Sequence, residues 1–139
     1  MDRSTPAADL GVTLLRAALG TMWIAHALLK LLVVTLRGTA QFFASVGFPG
    51  WLAYPVFAAE LLGGMALILG LWARQVALAL LPIMIAATWL HLPNAWVFTS
   101  PNGGWDYPVF LAVASITLWL LGDGSCALRR SAWLAPRGL

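Results

Sequence analysis

The sequence predicts an all-α integral membrane protein, a bundle of four transmembrane helices with both termini in the cytoplasm. Two observations carry the membrane assignment. Of 139 residues, 61% are hydrophobic and only 9% are charged, against about 25% charged in ordinary soluble domains. A soluble fold of this length cannot hide so much apolar surface, so lipid is the expected solvent. The apolar residues also fall into four runs close to the ~17–25 residues needed to cross a ~30 Å hydrocarbon core. The runs are apolar all round, unlike the surface helices of a soluble bundle.

The first run spans about Val12 to Val34. The second, Leu52 to Leu71, lies between Pro49-Gly50-Trp51 and Trp72. The third, Gln75 to Leu92, ends at Pro93-Asn94. The fourth, about Trp105 to Gly122, follows the turn-rich segment Thr99 to Gly104. Pro55 falls in the first turn of its helix, where a missing N–H costs little. Pro82 lies inside the third run and predicts a kink, because membrane helices tolerate an internal proline. The chain thus divides into a flexible N-terminal segment (1–9), a four-helix domain (10–128) and a cytoplasmic tail (129–139). The loops 35–51 and 93–104 face outward.

Four spans place both termini on one side. That side holds Arg3, Arg16, Arg74, Arg129, Arg130 and Arg137, whereas Lys30 and Arg37 fall on the other. The excess of basic residues marks the cytoplasmic face. Trp51, Trp96 and Trp105 mark the outer interface, with Trp72 and Trp119 at or near the inner one. Gly63, Gly64 and Gly70 line the second span, and Gly11 and Gly20 flank the start of the first. Small residues of this kind let membrane helices approach closely.

Several function classes are excluded. No basic stripe with interleaved aromatics suits nucleic acid. No nucleotide-binding glycine motif or serine or cysteine nucleophile motif is present. The single cysteine, Cys126, makes no internal disulfide, CxxC pair or iron–sulfur site; it reads as a spectator thiol.

The informative residues are the ionisable ones inside the spans, since each costs about 2.5–3.5 kcal/mol at a helix centre. They are Arg16, His26, Lys30, Glu60 and His91. At ~1.5 Å per residue, His26 lies about 21 Å, His91 about 24 Å and Glu60 about 18 Å above the cytoplasmic edge. Three helices therefore bring a titratable group to one layer of the outer half. Lys30 sits one turn above His26 on the same face, and Arg16 shares roughly that face lower down. An isolated carboxylate in hydrocarbon neutralises, and a neighbouring cation lets Glu60 stay ionised. An inward-facing cluster is expected, reached from outside past Asn94, Trp96 and Asp106. For single residues the bland readings are a snorkelling Lys30, an inner-edge anchor at Arg16 and an interfacial His91. Glu60 is too deep to snorkel. Two histidines and a carboxylate are metal ligands by type, and two histidines suit haem. Their spacing specifies neither, and Lys30 repels a cation. No metal is expected, and no covalently bound cofactor.

Seven short stretches follow one another along the chain. The first are Leu14-Leu15-Arg16-Ala17-Ala18-Leu19-Gly20, Ala25-His26-Ala27-Leu28-Leu29-Lys30 and Phe42-Phe43-Ala44-Ser45-Val46-Gly47-Phe48-Pro49. The rest are Glu60-Leu61-Leu62-Gly63-Gly64, Gly70-Leu71-Trp72-Ala73-Arg74, His91-Leu92-Pro93-Asn94 and Leu121-Gly122-Asp123-Gly124. In their order and spacing the chain resembles the DoxX family of small bacterial four-helix membrane proteins over about residues 10–128. Ala27 replaces the usual glycine, and Asp123 stands where proline is common. The resemblance nominates Arg16, His26, Lys30, Glu60, Arg74 and His91. It implies a multi-pass protein of the bacterial cytoplasmic membrane. Relatives called DoxD look like membrane subunits of thiosulfate:quinone oxidoreductases.

Two functional readings follow. In the first, the protein is a quinone-interacting membrane subunit of an oxidoreductase complex. Glu60, His26 and His91 then relay protons and contact the ring, with Lys30, Arg16, Asn94 and Trp96 binding it. No electron carrier is evident in the chain, so electrons arrive from a redox partner protein. In the second reading the bundle is a membrane scaffold or partner-binding protein, or a small-solute transport component, without redox chemistry. Its polar cluster then serves packing. A homo-oligomer is the alternative to a redox partner protein.

Overall fold

The computed structural model describes residues 5–136. Within them the protein is all-helical, with five α-helices and no strand. We number them α1 (Pro6–Leu28), α2 (Leu36–Ser45), α3 (Ala53–Leu69), α4 (Ala73–His91) and α5 (Asp106–Leu121). The segments Pro6–Val33, Gly50–Leu69 and Ala73–His91 are long and apolar enough to cross a membrane; Asp106–Leu121 is a shorter apolar helix.

α1 begins at Pro6 rather than near Val12. The polar start is a helix-initiation signal: the Thr5 side chain accepts from the Ala8 N–H at 3.3 Å, with Pro6 at the helix start and Asp9 in the first turn. Each is favourable there. Of the segment expected to be flexible, residues 1–4, with Arg3, lie outside the described residues, and Pro6–Asp9 are helical. At its far end α1 widens into one π-helical turn, Leu29–Val33, closed by Val34 N to Leu29 O at 3.0 Å.

The stretch expected as a loop, 35–51, contains α2 and a short 3₁₀ turn, Gly50–Leu52. Thr35 makes the corner with φ +68°, unusual for a β-branched residue. Such a conformation costs about 1–3 kcal/mol, offset in part by the Thr35 hydroxyl, which accepts from Gly38 N–H at 3.1 Å and caps α2.

α3 ends at Gly70 in the left-handed conformation (φ +69°). Leu71 N–H donates to Ala66 O and Gly70 N–H to Leu67 O, at 2.8 and 3.2 Å. This closes the helix and satisfies two of its last carbonyls. α4 runs through Pro82 without a break.

α1 packs on α3, α3 on α4, α4 on α5 and α5 on α1. The core where they meet includes Leu19, Trp23, Leu67, Leu80, Leu111 and Leu118. α1 and α3 touch at backbone distance: a Cβ on Gly20 would lie 2.6 Å from Gly64 O. The five glycines do not share one role, since Gly63 faces Leu80 of α4 and Gly11 faces open space. The outside carries many large apolar side chains, with Leu14, Leu32, Leu62, Ile85, Trp89 and Phe110 exposed. That is the surface expected of a protein solvated by lipid.

The tail is docked rather than loose. Leu128 N–H donates to Leu69 O, Arg129 N–H to Gly70 O and Trp72 N–H to Arg129 O. Ser125 N–H reaches Asp9 O at 3.4 Å, so the beginning and end of the described chain lie at the same end of the helices. Arg137, the last of the expected basic residues, lies outside the described residues.

Candidate functional site

The nominated residues divide between the two ends and the middle of the helices. At the centre is an ion pair. Glu60, on α3, is 2% exposed, and Lys30 Nζ donates to both of its carboxylate oxygens at 3.0 and 2.8 Å. Lys30 belongs to the π-helical turn, and its side chain is 20% exposed. Single wide turns of this type recur at functional positions. The pairing expected for Glu60 is therefore made by Lys30. Among the described residues it is the one ion pair.

His26 lies four residues before Lys30. Its ring stacks on Tyr107 of α5, with centroids 5.5 Å apart and planes 18° from parallel. Its Nδ1 is 2.8 Å from Met22 O. A carbonyl only accepts, so Nδ1 carries the proton and, in the neutral ring, Nε2 is left as an acceptor. His91 repeats the arrangement, with Nδ1 2.7 Å from Ala87 O. Its outer ring edge lies against Gly103, where a Cβ would stand 3.3 Å from Nε2. No hydrogen bond joins Glu60 to either imidazole.

Two residues not singled out by sequence carry buried donors near this part of the chain: Tyr107, which stacks on His26, and Trp23, three residues before it on α1. Tyr107 Oη and Trp23 Nε1 are buried and have no hydrogen-bond partner. Both groups donate, and buried donors are rarely left unmatched. Tyr107 carries a sequence signal in retrospect: a phenol at the start of an apolar helix, beside Asp106, whose Oδ1 accepts from Tyr107 N–H at 2.8 Å.

Asn94 and Trp96 sit in the loop between α4 and α5. Asn94 Nδ2 donates to Asn102 O at 3.0 Å, and Trp96 meets Trp105 edge-on at 4.2 Å. Both build the loop. Arg16 is at the opposite end, 2% exposed. Its Nη1 donates to Asp123 O at 2.6 Å and Nη2 to Ser125 O at 3.5 Å, tying α1 to the segment after α5. Arg74 lies close by, its guanidinium against Gly122. Among the described residues no three of His, Cys, Asp and Glu gather closely enough to hold a metal ion.

The family model for DoxX matches residues 11–93. The chain belongs to the DoxX family. A relative from Bacillus subtilis (strain 168), named "Putative oxidoreductase CatD", is 33% identical over 121 residues, 86% of this chain and 85% of that one. No solved structure matches the chain. The DoxX match spans Arg16, His26, Lys30, Glu60, Arg74 and His91 and ends before Tyr107. The DoxX segment thus supplies the ion pair and both imidazoles, while the phenol against His26 comes from α5.

Proposed function

We propose that this DoxX-family membrane protein is a quinone-interacting membrane subunit of an oxidoreductase complex. In this reading α1, α3, α4 and α5 all span the bacterial cytoplasmic membrane as a four-helix bundle. Both termini lie in the cytoplasm, following the basic residues at that end. The relative's printed name supports oxidoreductase chemistry in the family.

The observation that carries the reading is the set of groups around His26. Tyr107 Oη and Trp23 Nε1 are buried donors without acceptors, and the His26 tautomer leaves Nε2 as an acceptor. A quinone supplies two-electron, two-proton redox chemistry, and its carbonyl oxygens are acceptors of the kind these donors lack. Tyr107 and Trp23 would hold a carbonyl; as the ring takes two electrons from the partner it takes up two protons, and His26 Nε2, once protonated from the outer face, would pass one to a ring oxygen. The Lys30–Glu60 pair, one turn on, supplies a fixed dipole in a region of low dielectric, where it acts without reorganisation. Lys30 also offers positive charge, and Glu60 a path for protons from the outer face. Electrons come from a redox partner.

The test is direct. The protein is purified in mild detergent, extracted with solvent and assayed for quinone, alongside Glu60→Gln and His26→Ala. Quinone carried by the native protein and depleted in His26→Ala is expected. No quinone in any preparation, with no affinity for added quinone, would overturn the proposal and favour a scaffold or transport role.

A further inference from the structure

We propose that the C-terminal segment and α4 form a binding site for one anionic phospholipid, at the end of the helices that carries both chain ends. The site does not depend on the quinone reading. Its apolar part is an open groove of about 630 Å³ lined by Trp72, Gln75, Val76, Ala79, Trp133 and Leu134. Trp72 to Ala79 is about two turns of helix, roughly 10 Å. The groove therefore starts at the helix end and runs up the apolar side of α4, the direction an acyl chain takes from head group to hydrocarbon.

The segment that completes the groove is held in place. Gln75 Nε2 donates to Trp133 O at 3.1 Å, and Trp119 Nε1 donates to Leu134 O at 2.7 Å. Trp133 is 77% exposed and Leu134 64%, an apolar pair fixed outward where indole rings favour the membrane interface.

Charge selects the head group. Arg129 is bonded through its backbone to Trp72, a wall of the groove, and Arg130 follows it. Both are exposed. Neither has a carboxylate partner among the described residues, and the nearby Asp123 carboxylate is occupied by Ser131 N–H and Oγ at 2.8 and 2.7 Å. Two unpaired cationic residues in the segment that leads from Trp72 to the groove-lining Trp133 fit a phosphodiester. One further polar group points the same way. Gln75 Oε1 is buried without a donor, and the glycerol head group of phosphatidylglycerol brings hydroxyl donors.

Native mass spectrometry of the full chain in detergent tests this, with dioleoyl phosphatidylglycerol and dioleoyl phosphatidylcholine added in turn. One phosphatidylglycerol should be retained in preference to phosphatidylcholine. The double variant Arg129→Gln/Arg130→Gln should weaken its retention on the order of tenfold or more, two surface cations being removed. Ala79→Phe, which fills the groove from an exposed position, should abolish it. Unchanged thermal unfolding of both variants separates loss of the site from loss of the fold. Equal retention of both lipids, or retention untouched by either variant, would overturn the proposal. So would a dimer that Ala79→Phe disrupts, which would seat a second copy on the groove.

Discussion

Lys30 Nζ bridges both carboxylate oxygens of Glu60, at 3.0 and 2.8 Å, from inside the one π-helical turn of the chain's described residues. The two partners are not equally placed: Glu60 is 2% exposed and Lys30 20%. Removing the cation strands a buried carboxylate, whereas removing the carboxylate leaves a lysine long enough to snorkel. Lys30→Met should therefore destabilise more than Glu60→Gln, by up to about 3–5 kcal/mol. The double variant Lys30→Met/Glu60→Gln should recover most of that loss. Thermal unfolding in detergent of the four proteins gives the coupling; equal and additive losses would show that the pair contributes nothing together.

The α1–α3 crossing makes a second prediction. A Cβ on Gly64 would lie 2.8 Å from Gly20 O and 3.0 Å from Ile24 N. Backbone cannot give way as a side chain does, so Gly64→Ala should cost about 1–3 kcal/mol. Gly11, exposed with nothing near its Cβ position, should behave oppositely. Gly11→Ala should stabilise by about 0.5–1 kcal/mol, the usual gain from removing glycine inside a helix. The same unfolding assay reads both.

At the other end, Arg16 anchors the segment after α5 through the carbonyls of Asp123 and Ser125. Lysine cannot span two acceptors in this way. Arg16→Lys and Arg16→Met should loosen that segment, and limited trypsin digestion should cut at Arg129 and Arg130 several-fold faster than in the native protein. A digestion rate unchanged by both substitutions would separate the tail from Arg16.

Much of this was legible in the sequence, and the limits have physical causes. Hydropathy located the long apolar helices to within a few residues except at the start of α1, where capping chemistry, not hydropathy, sets the boundary. The depth of Glu60 required a cation, and Lys30 meets it. Depth fixes height along a helix and not direction around it. His26 and His91 stand near that layer by count, yet each bonds its own helix one turn back. α2 was hidden because ten residues are too few to span a bilayer, so a spanning criterion passes over it. The role of Arg16 was hidden because its acceptors are backbone carbonyls more than a hundred residues away, which leave no charge signature.

Tyr107 offers a test that separates folding from ligand contact. Its hydroxyl is buried without a partner, so Tyr107→Phe removes an unsatisfied group and keeps the ring against His26. Stability should hold or rise by about 1 kcal/mol. Quinone affinity, in contrast, should fall about five- to tenfold, the loss of one hydrogen bond. Unfolding and binding measured on the same preparation would show the two moving in opposite directions.

If the groups around His26, backed by the Lys30–Glu60 pair, form a quinone-binding centre as proposed, each should alter quinone affinity. The most direct test is the equilibrium dissociation constant for a short-chain quinone, measured on the native protein, His26→Ala and Glu60→Gln in the same detergent. Saturable binding by the native protein is expected, weakened at least tenfold by His26→Ala and measurably by Glu60→Gln. Binding of equal strength in all three proteins, or in none of them, would contradict the proposal.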